Sequence, residues 1–192
     1  MAATDPVKDL SATQSAILTA YAELIEEVGT DDVSFRVIAL RAGVGERTVF
    51  RHYATRVDLL LATSGWAEQT MFARPPCESI FDVPIAIREA MEAYGRRPEL
   101  AHVVAETSMR GINGAEPAPH RETYDGMLRR EVPSLGDDER TRIVAALSHL
   151  DSAATWATMR RQLGMTGRDI ADAATWAAEA VLDPIRGRGA PA

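Results

Sequence analysis

The chain has 192 residues, of which 46% are hydrophobic and 26% are charged, and its formal net charge is −7 at pH 7. This composition is that of an ordinary globular protein with a substantial core and length for one or two domains. No apolar run approaches the roughly 20 residues that span a bilayer, and no signal-peptide pattern begins the chain, which excludes a membrane-embedded protein. The single cysteine, Cys77, excludes an internal disulfide. We therefore expect a cytoplasmic protein.

The first predicted helix begins near Ser11. Ser11 and Gln14 form a capping-box pattern, in which each side chain bonds to the backbone amide of the other residue. Gly29 is expected to end this helix. Apolar residues at helical spacing lie between these signals, at Ile17, Leu18, Tyr21, Leu24, Ile25 and Val28.

Residues 34–53 have the pattern of two short helices joined by a sharp turn. Ser34 can cap the first of them, Gly43 supplies the positive φ that the turn needs, and Gly45 can begin the second without a side-chain acceptor. The positions expected to face inward are Ile38, Ala42, Val44, Val49 and His52.

The outward face of the second short helix is mixed and basic. In a DNA major groove such a face can touch base edges and phosphates, so a helix-turn-helix is indicated. An ordinary helical hairpin with a solvated basic face is the alternative. The outward residues are Glu46, Arg47, Thr48, Phe50 and Arg51.

The local charge around this motif differs from that of the whole chain. Residues 34–60 hold five arginines against two acidic residues, a local balance of +3. Groove contact depends on the charge of the contacting face, so the negative total does not exclude DNA binding. The arginines are Arg36, Arg41, Arg47, Arg51 and Arg56.

A fourth helix follows the motif directly. Thr55 and Asp58 form a second capping pattern ahead of three consecutive leucines, Leu59 to Leu61. This helix is expected to continue to about Phe72 and to end before Pro75 and Pro76.

The segment from about Ile17 to Leu60 resembles the DNA-binding domain of the tetracycline-repressor (TetR) family of bacterial regulators. The chain length is also typical of that family. The residues that carry the resemblance are Ile17, Leu18, Ala20, Gly29, Ile38, Ala39, Ala42, Gly43, Val44, Thr48, Val49, Phe50, His52, Tyr53, Arg56, Leu59 and Leu60.

The resemblance implies roles for residues at matching positions. It implies guanine contacts for Arg47 and Arg51, and phosphate contacts for Thr48 and Arg56. Arg36 would contact a base or a phosphate. The full set expected at the DNA is Ser34, Arg36, Glu46, Arg47, Thr48, Phe50, Arg51, His52 and Arg56.

The chain departs from the family pattern at two positions. Phe50 stands where tyrosine is commoner, so a phenol cannot reach phosphate there, and the ring is left to contact a thymine methyl or to pack. Tyr53 stands where phenylalanine is commoner, and its hydroxyl need not reach DNA. The role of Glu46 is open, because it repels phosphate but can accept a hydrogen bond from cytosine.

The rest of the chain also has helical patterns, without repeats or β-type alternation. We predict an all-α protein of about nine helices, with a helix-turn-helix domain at residues 1–54 and an effector-binding and dimerisation domain at 55–192. The later predicted helices are about 82–94, 98–109, about 119–130, about 137–163 and 166–182.

The last two predicted helices are rich in alanine, and each has an apolar stripe. These stripes are either the core of a monomer or, as the resemblance implies, a homodimer interface in which the helices pair with their copies in a four-helix bundle. The residues expected at this interface are Ile143, Leu147, Leu150, Ala154, Ile170, Ala173, Ala177 and Val181.

The middle helices carry large apolar residues with a few polar groups. They either form ordinary core or line a pocket for an unknown, largely apolar effector, which in the family changes the separation of the two DNA-binding heads. The candidates are Trp66, Met91, His102, Met109, Tyr124, Met127, Trp156 and Met159.

Enzymatic patterns are sparse. Glu99 and His102 have the spacing of half a di-iron site, but a second such element is missing from the sequence. We therefore expect no catalytic residues, cofactor or metal. The predicted function is a ligand-responsive repressor that binds a palindromic operator as a homodimer. The alternatives are a helical small-molecule-binding module without DNA recognition and, more remotely, a helix-bundle enzyme.

Overall fold

A computed structural model of the protein describes residues 10–73, 76–109 and 120–188. Over these residues the chain forms ten α-helices, two 3₁₀ turns and no strand, so the predicted all-α class is confirmed. The helices are α1 (Ala12–Val28), α2 (Phe35–Ala42), α3 (Glu46–His52), α4 (Arg56–Thr70), α5 (Val83–Arg96), α6 (Pro98–Met109), α7 (Arg121–Glu131), α8 (Asp137–Leu150), α9 (Ala153–Arg161) and α10 (Gly167–Leu182).

The predicted helix-end signals are present at both ends of α1 and at the start of α4. Ser11 and Gln14 form the reciprocal capping box, and Gly29 ends α1 with a φ of 75°. Thr55 and Asp58 form the same motif at α4. This helix ends at Thr70, slightly earlier than predicted.

The prediction of a single helix from about Asp137 to Leu163 is wrong, because the helix is interrupted between α8 and α9. Asp151 leaves the helical conformation, with φ −90° and ψ 55°. The Ser152 hydroxyl then accepts a hydrogen bond from the Thr155 amide at 3.1 Å, which caps α9. The phenol of Tyr124 donates to the carboxylate of Asp151, whose side chain has no exposed surface.

Two compact units divide the chain, and the first contains α1 to α4 together with α6. α6 contacts both α1 and α4. The carboxylate of Glu26 in α1 accepts hydrogen bonds from the amides of Glu99 and Leu100, at 3.1 and 3.0 Å, and so caps the start of α6. The core of this unit includes Ile17, Leu18, Tyr21, Ile25, Ile38, Val49, Leu59 and Leu100.

The second unit contains α5 and α7 to α10. α5 packs against α9 and α10, and α8 packs against α7 and α10. The functional boundary that we place after residue 54 stays a prediction, because compactness groups α4 and α6 with the first three helices. The core of the second unit includes Ile80, Ile87, Met91, Tyr94, Leu147, Trp156, Ile170, Ala174 and Leu182.

In the part of the chain that the structure describes, every helix is too short or too polar to cross a bilayer.

Candidate nucleic-acid interface

α3 has one buried side and one exposed side. Val49 is 0% exposed and fixes the helix on the core of the first unit. The opposite side carries Glu46, Arg47 and Arg51, all exposed, and half-buried Thr48. Because these positions lie together on a helix, α3 presents a continuous polar surface to solvent.

A tight turn at residues 43–45 connects α2 to α3. Gly43 has a φ of 69°, and the amide of Val44 bonds to the carbonyl of Ala39 at 3.0 Å. A side chain at Gly43 would be strained by this φ even though no atom stands in its way. Ile38 and Ala39 are buried beneath the turn.

The inward positions predicted for the motif differ in their burial. Ile38 and Val49 are fully buried, whereas Ala42, Val44 and His52 are only half-buried. His52 therefore keeps part of its ring at the surface. This exposure leaves it accessible to a nucleic acid.

Phe50 lies partly in the core and partly on the α3 surface. Its ring centroid is 4.6 Å from that of Phe35, at an interplanar angle of 53°. The Phe50 side chain is nevertheless 51% exposed. One side of the ring thus packs, and the remaining surface can contact an apolar group such as a thymine methyl.

Tyr53 faces the core. It is 6% exposed, and burial raises the pKa of its phenol. The expectation that its hydroxyl need not reach DNA agrees with this position.

Three arginines of the motif point into solvent. Within residues 10–73, 76–109 and 120–188, the guanidinium groups of Arg36, Arg47 and Arg51 have neither an ion pair nor a hydrogen bond, and all three residues are exposed. Their positive charge is available to an anionic partner. Ser34 is also exposed, and its hydroxyl accepts a hydrogen bond from the Val37 amide at 3.4 Å, as predicted for a cap.

Arg41 is exposed but paired with another residue of the protein. It donates to both carboxylate oxygens of Glu27, at 2.8 and 2.7 Å. This pairing lowers the pKa of Glu27 and raises the pKa of Arg41. The pair joins α2 to α1, so Arg41 contributes little free charge at the surface.

Arg56 at the start of α4 is paired as well. Its Nη1 donates to Asp32 Oδ1 at 2.5 Å and to the carbonyl of Asp31 at 3.1 Å. The same carbonyl accepts a hydrogen bond from the phenol of Tyr21 at 2.8 Å. Burial, and then the charge of Asp31, raise the pKa of Tyr21, so its phenol stays protonated and remains a donor. The pairing of Asp32 with Arg56 was not predicted from the sequence.

The predicted effector residues fall in both units. Trp66, His102 and Met109 belong to the first unit, and Met109 is 64% exposed. The other five belong to the second unit, where four are buried and one is half-buried: Met91, Tyr124, Met127, Trp156 and Met159. The grooves described in the second unit have none of these residues in their walls.

The predicted dimer residues also divide by burial. Ile143, Leu147 and Ile170 are covered within a single subunit, with exposures of 7%, 0% and 0%. The remaining five are half-exposed: Leu150, Ala154, Ala173, Ala177 and Val181. Trp176 of α10 lies among them and is 71% exposed, although it was not among the predicted interface residues.

Glu99 and His102 do not belong to a larger set of metal ligands in the described part of the chain, where no three acidic, histidine or cysteine side chains cluster suitably. His102 is buried, at 7% exposure.

Comparison with known proteins gives a family match and matches to solved structures. The profile described as "Bacterial regulatory proteins, tetR family" matches residues 17–63. No curated protein matches the chain. A crystal structure of a TetR-family regulator from Streptomyces coelicolor A3 is 24% identical, aligns over 90% of this chain and 95% of its own, and has a TM-score of 0.43. With the helix-turn-helix geometry above, the profile match shows that residues 17–63 form a DNA-binding domain of the tetR family of bacterial regulatory proteins.

Proposed function

We propose that this protein is a homodimeric, ligand-responsive transcriptional repressor that binds a palindromic operator in the cytoplasm. The observation that carries the proposal is the exposed surface of α2 and α3, where Arg36, Arg47 and Arg51 have no partner among the described residues. A protein with a net charge of −7 that keeps these three arginines unpaired with its own carboxylates is suited to an anionic partner.

Base recognition is assigned to Arg47 and Arg51. They lie four residues apart and therefore one above the other on α3. An arginine can donate two hydrogen bonds to the O6 and N7 atoms of guanine in the major groove. Phe50 lies between them in the chain, and its exposed surface is available to a neighbouring thymine methyl.

Phosphate contacts are assigned to residues around α3. Arg36 and Ser34 stand at the start of α2, Thr48 on α3 and Arg56 at the start of α4. Contacts to phosphate position the protein on the duplex without selecting the sequence. Glu46 and half-buried His52 are the remaining members of the proposed DNA contact set.

A mobility-shift titration against DNA flanking the protein's own gene tests these roles. Arg47→Ala and Arg51→Ala should each weaken operator binding by about 1–3 kcal/mol and relax the preference at one base pair. Arg56→Ala should weaken binding to every sequence and reduce the salt slope by at most about one unit. Arg129→Ala removes an exposed arginine from α7 and serves as the control.

If all of these variants bind like the wild type, the contact assignment is wrong. If the wild type binds no duplex at all, the alternative of a helical module without DNA recognition is favoured instead.

The dimer is proposed to form through α8 and α10, which pack side by side in the second unit. Trp176 is exposed beside half-exposed Ala173 and Ala177, so a large aromatic group and small neighbours share this surface. Such an arrangement allows a second copy to approach closely and to bury the indole. Two copies would place two α3 helices on two half-sites.

The effector is proposed to be a largely apolar small molecule bound by the helices after α4. A thermal-shift screen, repeated with operator DNA present, tests this. A true effector should stabilise the free protein more than the DNA complex, because it must bind the state without DNA more tightly to cause release.

A further inference from the structure

Arg56 has a protein carboxylate at the place where the proposed function needs a DNA phosphate. Its Nη1 donates to Asp32 Oδ1 at 2.5 Å. The Arg56 side chain is 40% exposed and that of Asp32 is 84% exposed, so this ion pair lies in solvent. A guanidinium is a strong donor to either a carboxylate or a phosphate, and the two anions compete for the same group.

Asp32 is also close in sequence to the proposed DNA contacts. It lies two residues before Ser34 and four before Arg36, in the segment that connects α1 to α2. A duplex bound by these residues and Arg56 therefore brings its phosphates near the Asp32 carboxylate. The backbone next to Asp32 is held in place, because the carbonyl of Asp31 accepts hydrogen bonds from both Tyr21 and Arg56.

We propose that Asp32 is an affinity-setting residue of the DNA interface, acting as an internal substitute for phosphate at Arg56. In the free protein Asp32 neutralises Arg56, and a DNA phosphate must displace or share it. Asp32 thereby weakens binding to all duplexes alike and reduces the salt dependence of that binding. This inference depends on the proposed DNA-binding function.

The chain offers a closely matched control for Asp32. Asp31 is its neighbour and carries the same charge, but the carboxylate of Asp31 has no hydrogen bond or ion pair in the described structure; only its carbonyl does. Asp31→Asn and Asp32→Asn thus change the net charge equally at adjacent positions. Asparagine also keeps an oxygen that can accept from Arg56.

The test measures binding of the full-length protein to a labelled duplex of about 30 bp with an arbitrary, non-palindromic sequence, at about 50 to 200 mM salt. Such DNA suffices because phosphate contacts do not depend on sequence. Asp32→Asn should bind about two- to fivefold more tightly, as expected for loss of an exposed ion pair. Its salt slope should steepen by up to about 0.9, because Arg56 now meets phosphate as an unpaired charge.

Two further comparisons assign the effect to Arg56. Asp31→Asn should change affinity by less than about twofold, since its carboxylate is unpaired. In an Arg56→Gln background, Asp32→Asn should lose its effect, because the group for which the two anions compete is gone. Thermal melting of each variant establishes that it is folded, and Asp32→Ser provides a second neutral replacement.

Equal gains from Asp31→Asn and Asp32→Asn, or a gain that survives Arg56→Gln, would show only general repulsion of DNA and overturn the inference. Weaker binding by folded Asp32→Asn would show that Asp32 holds Arg56 in a productive position, which also overturns it. If the wild type binds the duplex and Asp32→Asn binds it with the same affinity, this inference is contradicted and the proposed function is not. A wild type that binds no duplex contradicts the proposed function, and this inference with it.

Discussion

The arginines of the helix-turn-helix segment differ in what surrounds them. Arg41 and Arg56 are held by carboxylates from outside the motif, Glu27 and Asp32, whereas the arginines on the α3 surface are not paired in the described structure. The paired arginines fasten α2 and α4 to the rest of the first unit. A count of charges along the sequence treats all of them alike, and only the folded chain separates the two kinds.

The pair of Glu27 and Arg41 makes stability depend on pH. Arg41 lowers the pKa of Glu27 from its ordinary value of 4.5. A lowered folded-state pKa adds stability above the unfolded-state pKa, and this contribution is lost as the pH falls through the folded-state value. The Glu27→Gln variant should therefore be less stable than the wild type near neutral pH. On acidification below about pH 4.5, its free energy of unfolding should fall less than that of the wild type.

Melting temperatures of the wild type and Glu27→Gln, taken at intervals from neutral pH to about pH 3, measure this difference. Glu89→Gln is the control, since Glu89 is exposed on α5 and is unpaired in the described part of the chain. Parallel acid profiles for the wild type and Glu27→Gln would contradict the prediction.

Local residue roles could be predicted from the sequence, and distant partners could not. Ser34 caps α2 and Gly43 adopts a positive φ, because both roles depend on a few neighbouring residues. Asp32 and Arg56 are 24 residues apart, and no local pattern connects them. The exposed arginines of α3 follow from helical spacing once Val49 is assigned to the core.

Among the elements, helix starts were predicted well and one long helix was not. The starts of α1, α4 and α10 follow local capping patterns at Ser11, Thr55 and Thr166. At the break, Asp151 accepts a hydrogen bond from Tyr124, which is 27 residues away and belongs to another helix. Apolar spacing continues across the break, so periodicity alone predicts one helix.

Tyr124→Phe tests how much this contact supports the break between α8 and α9. The ring is retained, but the buried carboxylate of Asp151 loses a donor, which should cost about 1–3 kcal/mol of unfolding free energy. Chemical denaturation measures the loss. Arg129→Ala at the exposed pair with Asp125 should stay within about 0.5 kcal/mol of the wild type, and an equally small effect of Tyr124→Phe would contradict the role.

The cap of α6 by Glu26 is a second contact between distant elements. Glu26→Ala leaves the amides of Glu99 and Leu100 without their acceptor and should destabilise the protein by about 1–2 kcal/mol. Glu26→Gln keeps an acceptor oxygen and should lose less. Denaturant titration distinguishes the two, and equal losses would show that only the charge of Glu26 matters.

At the scale of the whole molecule, the negative total charge and the basic α3 surface are compatible because they belong to different parts of the chain. The dimer surface stays a prediction, and the structure divides its residues by burial. Three of its predicted residues are core, because α8 and α10 use those stripes to pack within one subunit. The sequence pattern identifies apolar stripes but does not tell which stripe meets a second copy.

Trp176→Glu tests the proposed dimer. A charge in place of a central aromatic group should raise the dimer dissociation constant by at least about tenfold and weaken operator binding with it. Analytical ultracentrifugation measures the assembly. Ile85→Glu, at an apolar residue of α5 that is 60% exposed, should leave the dimer intact, and an intact dimer in Trp176→Glu would contradict the interface.

Because α6 belongs to the first unit, it limits how segments of this chain can be joined to another protein in a chimera. A chimera that takes only residues up to the end of α4 from this chain would bring a Glu26 carboxylate with no helix terminus to receive it, and would leave bare the sides of α1 and α4 that α6 contacts. Transplanting the proposed DNA contacts of this chain onto another protein therefore requires two separate stretches of sequence, the first four helices and the sixth.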